Sequence, residues 1–193
     1  MFRKLFAVVF IITLSVSAKF AWGESYDFRL TRWGMTEDEV IASESKLEPT
    51  EKNENLLKYK TQLLGNNVEL IYQFAQNKLI GSSYKLDDNY LNSQHFINTY
   101  NKFKAKLAQK YGPAQKDETI WLNEALRNLD SKRGLALSLG HVEYLAVWET
   151  PSTTINCTLK GVNYYVDCAV SYWSKEYSTL KEELKKEDNL DPF

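Results

Sequence analysis

The clearest periodicity in the chain runs from residue 90 to 111. Phe96, Tyr100, Phe103, Leu107 and Tyr111 recur at steps of four, three, four and four, which is one apolar stripe of a helix. Gly112-Pro113 ends it in the order a helix C-terminus expects. A second helix is marked at its start rather than by its stripe. Thr36 and Glu39 have capping-box spacing, and Met35 and Val40 are spaced for a hydrophobic staple, so a helix is predicted from Thr36 to about Ser45. A charged segment from Lys175 to about Glu187, carrying Tyr177, Leu180 and Leu184, reads as the last helix.

Elsewhere the period is two. Leu57 to Leu64, Val68 to Phe74 and Leu79 to Leu86 read as strands separated by Gly65-Asn66-Asn67 and Gln76-Asn77. His141 to Glu149, Thr153 to Leu159 and Tyr164 to Trp173 form a second set. Val68, Leu70, Tyr72 and Phe74 alternate with Glu69 and Gln73, so one sheet face is buried and the other wet. Residues 114–140 are the least regular: a short strand at Thr119 to Leu122, a short helix within Glu124 to Asp130, and a strand from the alternation of Leu135, Leu137 and Leu139. The expected class is α+β, antiparallel β-meanders with helices packed on one face, the order reading as a duplicated α-β-β-β unit with halves 24–113 and 114–193.

Residues 1–23 read as a signal peptide. Arg3 and Lys4 precede an apolar run from Leu5 to Ala18 that is too short to span a bilayer, and small residues follow. Cleavage after Gly23, with Ala21 at minus three, leaves a polar start at Glu24, and Ala18 is the alternative site. No cysteine stands near either site to carry a lipid anchor. The expectation is an exported, periplasmic protein, 24–193, with no membrane span once the leader is removed.

Charge sharpens this picture. Removing 1–23 takes away Arg3, Lys4 and Lys19 and no acid, so 24 bases become 21 against 25 acids and the net charge falls from −1 to −4. That gives no basis for binding nucleic acid. Lysines 102, 104, 106 and 110 cluster toward the C-terminal end of the 90–111 helix, where its dipole favours cations.

The two cysteines flank a hairpin signal, β-branched and aromatic runs on either side of Lys160-Gly161-Val162-Asn163, where Gly161 and Asn163 supply turn chemistry. A turn centred between Val162 and Asn163 sets Cys157 opposite Cys168, so a disulfide is expected in an oxidising compartment. Histidine and cysteine are too scarce for a metal cluster or a nucleophile–base pair. His95 and His141 stand apart, and no His-Glu-x-x-His, Cys-x-x-Cys, Gly-x-Ser-x-Gly or phosphate-loop run occurs. Ser138 and His141 would point to opposite sides of a strand. Glu37, Asp38 and Glu39 serve a helix start, and Asp87-Asp88-Asn89 reads as a turn and helix cap. No cofactor is expected. The candidate binding face is the wet side of the last strand, where Tyr165, Asp167, Ser171 and Trp173 stand together.

The run Phe28-x4-Trp33-Gly34-Met35 with Val40, then Lys110-Tyr111-Gly112-Pro113, Trp148 and Thr154-x-x-Cys157-x-Leu159, resembles a group of uncharacterised bacterial exported proteins and lipoproteins. The resemblance spans most of the mature chain and implies an envelope location but no particular activity. The function expected is a non-enzymatic binding or envelope accessory module whose partner is an envelope protein or small ligand. The alternatives are a periplasmic hydrolase using carboxylates and an enzyme inhibitor.

Overall fold

A computed structural model describes residues 26–190, with side chains to 184; residues 1–23, expected to be a signal peptide, lie outside the described residues. Helix α1, Glu37–Ser43, begins where the capping box puts it. Thr36 accepts from the Glu39 N–H, and the Glu39 carboxylate accepts from the Thr36 N–H at 2.8 Å. Val40 is buried and Met35 packs against the core beside it.

Four strands follow as a meander: β1 Pro49–Asn53, β2 Leu56–Leu63, β3 Asn66–Ala75 and β4 Lys78–Leu86. Helix α2, Gln94–Tyr111, opens the second half, followed by β5 Lys116–Trp121. Two short 3-10 turns and helix α3, Arg133–Ser138, lead into β6 Val142–Glu149, β7 Thr153–Val162 and β8 Tyr165–Ser174. Helix α4, Ser178–Leu190, closes the described chain.

All eight strands form one antiparallel sheet in the order β1-β2-β3-β4-β8-β7-β6-β5. The halves meet where β4 pairs with β8, around the opposed residues Ser83 and Ser171. Each half is therefore a helix followed by four strands. In the first half β1 is a strand the periodicity does not predict, in the second β5 extends the short strand expected at Thr119 to Leu122, and both lie at an edge of the sheet. β1 is exposed along its whole length and has no alternation to read, and β5 opens with charged residues.

One sheet face is the core. Leu57, Leu70, Tyr72, Tyr172, Ile155, Cys157, Trp148 and Ala146 line it, all buried. Helix α2 packs over β7 and β8 with Tyr100, Phe103 and Leu107. The segment before α1 covers the other half. The Phe28 ring sits 4.8–5.7 Å from those of Tyr72, Tyr84 and Tyr172. Trp148 donates its indole N–H to the Gly112 carbonyl at 2.9 Å, tying β6 to the end of α2. Helix α4 departs from the one-face expectation. It lies against the wet side, with the Lys181 ammonium 4.0 Å from the centre of the Trp173 ring.

Three local readings change. The leucines 135, 137 and 139 lie in and just after α3, not on a strand. Alternation over so few residues fits either period, and here Ala136 and Leu137 go inward while Leu135 and Leu139 stay exposed. Asp88 holds the start of β3, accepting from the Asn67 N–H at 3.1 Å, rather than capping α2, so that helix begins only at Gln94. The β7–β8 turn is centred one residue later than expected. Asn163 and Tyr164 both have positive φ, at 48° and 67°, which closes a two-residue hairpin with Val162 opposite Tyr165.

That last shift removes the disulfide. Moving the turn centre by one residue moves each partner by two, so Cys157 faces Val170 and Cys168 faces Leu159. The cysteines are diagonal on the buried face, unbonded and free. Gly161, which suggested turn chemistry, has another task. It lets the hairpin lie against α3, where any Cβ would collide with the Leu137 carbonyl oxygen.

Candidate binding surface

Tyr165, Asp167, Ser171 and Trp173 do share the wet face of β8, but they do not make one site. Eight residues of extended strand separate Tyr165 from Trp173, about 27 Å. Trp173 is half-buried: its ring crosses the backbone of Gly81, where a Cβ would sit 2.5 Å from it, and Lys181 covers its other side. Asp167 lies 3.6 Å from the Lys85 ammonium, which also stands over the Tyr165 ring. Ser171 faces Ser83 on the flat centre of the sheet. Of the four, Tyr165 alone is strongly exposed, and it belongs to a different surface.

Exposed large apolar side chains gather at one end of the second half. The β7–β8 hairpin contributes Val162, Tyr164 and Tyr165, and α3 contributes Leu135 and Leu139. Leu91 precedes α2, while Leu122 and Leu129 belong to the stretch after β5. Tyr164 is 71% exposed and Leu122 62%. Close backbone approaches hold these pieces in place. The Tyr164 N–H donates to the Ser138 carbonyl at 2.8 Å, and the His141 N–H to that of Ala136 at 2.8 Å. Gly134 packs on the Gln94 backbone, and the Ser138 hydroxyl donates to that of Ser93 at 2.5 Å. Between α2, α3 and the hairpin lies a depression of about 620 Å³ lined by Leu91, Gln94, Leu135 and Tyr164 among others. Apolar side chains of this size, grouped and uncovered, mark an interaction surface more often than chance exposure does.

A second depression, about 540 Å³, runs beside β5. Thr119 and Trp121 form its strand side, and Arg127, Asn128, Asp130 and Arg133 its rim. Arg127 pairs with Glu124 at 2.8 Å and Arg133 with Asp130 at 3.2 Å.

Sequence reasoning missed this surface. Leu122, Leu135 and Leu139 fall in short strand-like runs and Leu129 in a short helix, runs too brief to fix a buried face. Large apolar residues in such runs are either loop core or exposed, and here they are exposed.

The chemistry elsewhere is structural. Glu44, 4% exposed, is the buried carboxylate of the described chain. It accepts from Arg29 at 2.5 and 2.8 Å and from the Tyr72 hydroxyl, so its oxygens are engaged. Glu37 is paired with Lys52 at 2.6 Å, and Glu39 with its own cap. The Ser138 hydroxyl is tied to Ser93 and Gly134. Among the described residues no three His, Cys, Asp or Glu side chains are grouped to hold a metal ion, and no helix is long and apolar enough to cross a membrane. Burial pushes the Cys168 thiol up to about 12 and raises that of Cys157 further, with Cys168 adding to the effect. Such thiols are inert nucleophiles. Titration of the folded protein with a thiol reagent is expected to find neither cysteine, and titration of the unfolded, unreduced protein both. Finding none after unfolding would restore the bridge.

Comparison with protein-family models, with curated proteins and with solved structures gives no match.

Proposed function

We propose that this chain is an exported, non-enzymatic accessory module of the bacterial envelope that binds a protein partner through the apolar end formed by α3, the β7–β8 hairpin and the segment after β5. The clustering of exposed Leu, Val and Tyr side chains at that one end carries the reading. Three features support it. The cluster is built on rigid neighbours, with backbone hydrogen bonds and glycine contacts fixing the hairpin against α3. The charges around it are largely paired, as in Arg127–Glu124, Arg133–Asp130 and Lys85–Asp167, so the apolar side chains are what sets this surface apart. A hydrolase would need acids converging on a cleft, whereas Glu44 is saturated and surface acids such as Glu37, Glu51, Asp117 and Glu149 are engaged with lysines.

The test is site-specific photocrosslinking in intact cells, with the photoreactive group at Tyr164 or, as control, at Ser171. One discrete adduct is expected from Tyr164, lost on Leu135→Asp, with little from Ser171. The intact mass of the uncrosslinked protein should correspond to a chain starting at Glu24. Equal, diffuse crosslinking from both positions would remove the apolar end as a docking place. A mass that retains residues 1–18 would remove the periplasmic assignment.

A further inference from the structure

The two edges of the sheet are unlike. β1 begins with Pro49 and its register breaks between Pro49 and Glu51, devices that discourage further pairing. β5 pairs with β6 over Lys116 to Trp121 without a break. Its first half is guarded by Lys116, Asp117 and Glu118, while Thr119, Ile120 and Trp121 carry no charge. The Leu122 N–H donates to the His141 carbonyl of the neighbouring strand, which fixes the alternation. Residues 118, 120 and 122 turn their backbone groups toward β6, and Asp117, Thr119 and Trp121 turn theirs to the free edge. Each of these three offers an N–H and a C=O.

We infer that this edge takes up an extended acidic segment of the partner as a ninth strand. The inference rests on the binding-module reading and specifies how the partner engages. A residue paired with Thr119 would project its side chain into the 540 Å³ depression, between Arg127 and Arg133. Those guanidinium groups are held by the exposed acids Glu124 and Asp130, pairs that contribute little and can exchange for an incoming carboxylate. The neighbour paired with Trp121 would meet the indole and favours an aromatic or apolar side chain. A second copy of the chain is a poorer occupant, because pairing β5 with itself would double an already wide sheet beyond the size at which open twisted sheets stay regular.

The probe is a fluorescent peptide, Thr-Val-Glu-Val-Tyr-Val-Thr, capped at both ends and followed by anisotropy. Five readouts test the inference. A version with Lys in place of Glu is expected to bind about tenfold more weakly or worse, as loss of a charge-assisted contact implies. A version N-methylated at alternate residues should not bind. Bound peptide should slow amide exchange at Asp117, Thr119 and Trp121 and leave Glu118 and Ile120 unchanged. Thr119→Pro removes an outward N–H and no bond to β6, so the fold persists (checked by circular dichroism) while binding is lost. Arg127→Glu with Arg133→Glu should reverse the preference between the Glu and Lys peptides. Equal binding of all three peptides, unchanged exchange at the edge, or no binding at all overturns strand addition. If the Tyr164 crosslink survives in Thr119→Pro while the peptide fails to bind, strand addition falls and the apolar-end reading stands. If the crosslink is lost in Thr119→Pro as well, strand addition is supported; a crosslink absent from the unaltered chain, together with no peptide binding to it, removes both readings.

Discussion

Raising the pH above about 9 is expected to unfold this protein abruptly rather than gradually. The cause is a set of buried acids that must stay protonated in the fold. Burial raises the hydroxyls of Tyr59, Tyr72, Tyr84, Tyr100 and Tyr172 and the thiols of Cys157 and Cys168 above their ordinary values, Tyr59 and Cys168 to about 12. The folded-state value is the raised one in every case. The stabilisation is thus fully present below the unfolded-state pKa and is lost as the pH climbs from there toward the folded-state value. Each group ionised in the unfolded chain but protonated in the fold lowers stability by about 1.4 kcal/mol per pH unit. The two thiols begin this near pH 9, for roughly 3 kcal/mol per unit, and the tyrosines join near pH 10. Against a total stability of about 5–15 kcal/mol, the fold should be lost between roughly pH 10 and 11. Exposed phenols such as Tyr164 and Tyr165 contribute phenolate absorbance without unfolding, so the remaining phenolate absorbance, that of the buried tyrosines, should appear together with the loss of circular dichroism in one transition. Full phenolate absorbance for all 12 tyrosines in a protein that keeps its circular dichroism would show that these hydroxyls are not sealed in the core.

What the sequence disclosed follows the strength of its periodic signals. The α2 stripe, the Thr36–Glu39 box and the six inner strands were legible because their periods and caps are strong, with burial alternating as in the run from Val68 to Phe74. The edge β1 was hidden, and β5 was legible only from Thr119 onward, because an edge strand is selected for charge and breaks, not alternation. The hairpin register failed on one residue. Gly161 carried the sequence signal for the turn, while the structure places positive φ on Asn163 and Tyr164 and uses the glycine for its contact with α3. A register error of that size suffices to separate Cys157 from Cys168. The candidate face was assigned correctly to one side of β8, yet a strand's length disperses residues that share its face. The apolar end escaped notice because it is assembled from three loops and a two-turn helix, and such a surface exists only after tertiary packing.

The same packing explains why the site is on the second half. β2 follows β1 after a short loop, whereas the connection from β5 to β6 carries α3 and two 3-10 turns. Between otherwise similar four-stranded units, that insertion provides the exposed leucines, the arginines beside β5 and the platform on which the β7–β8 hairpin rests. In the first half the corresponding core face is covered instead by the segment around Phe28, held by Arg29.

Arg29→Ala should be among the most destabilising single changes in the protein. Arg29 occupies left-handed backbone, φ 50°, and its guanidinium reaches both Glu44 oxygens and the Tyr84 hydroxyl at 3.3 Å. The bond to Glu44 holds the guanidinium charged despite partial burial. Removing it strands a carboxylate that is 4% exposed, a loss of about 3–5 kcal/mol. Glu44→Ala should cost less, about 2–3 kcal/mol, because the 32% exposed Arg29 side chain can turn to water while only the Tyr72 hydroxyl is left without its acceptor. At about 2–4 °C per kcal/mol for a chain of this size, thermal midpoints should fall by at least roughly 6 °C for Arg29→Ala. The double variant should lose little more than Arg29→Ala alone, a coupling of about 2 kcal/mol or greater, since removing both charges leaves neither unpaired. Additive losses in the thermal midpoints would mean that the pair is not what fastens the Phe28 segment over Tyr72 and Tyr84. That work would then fall to the aromatic contacts alone.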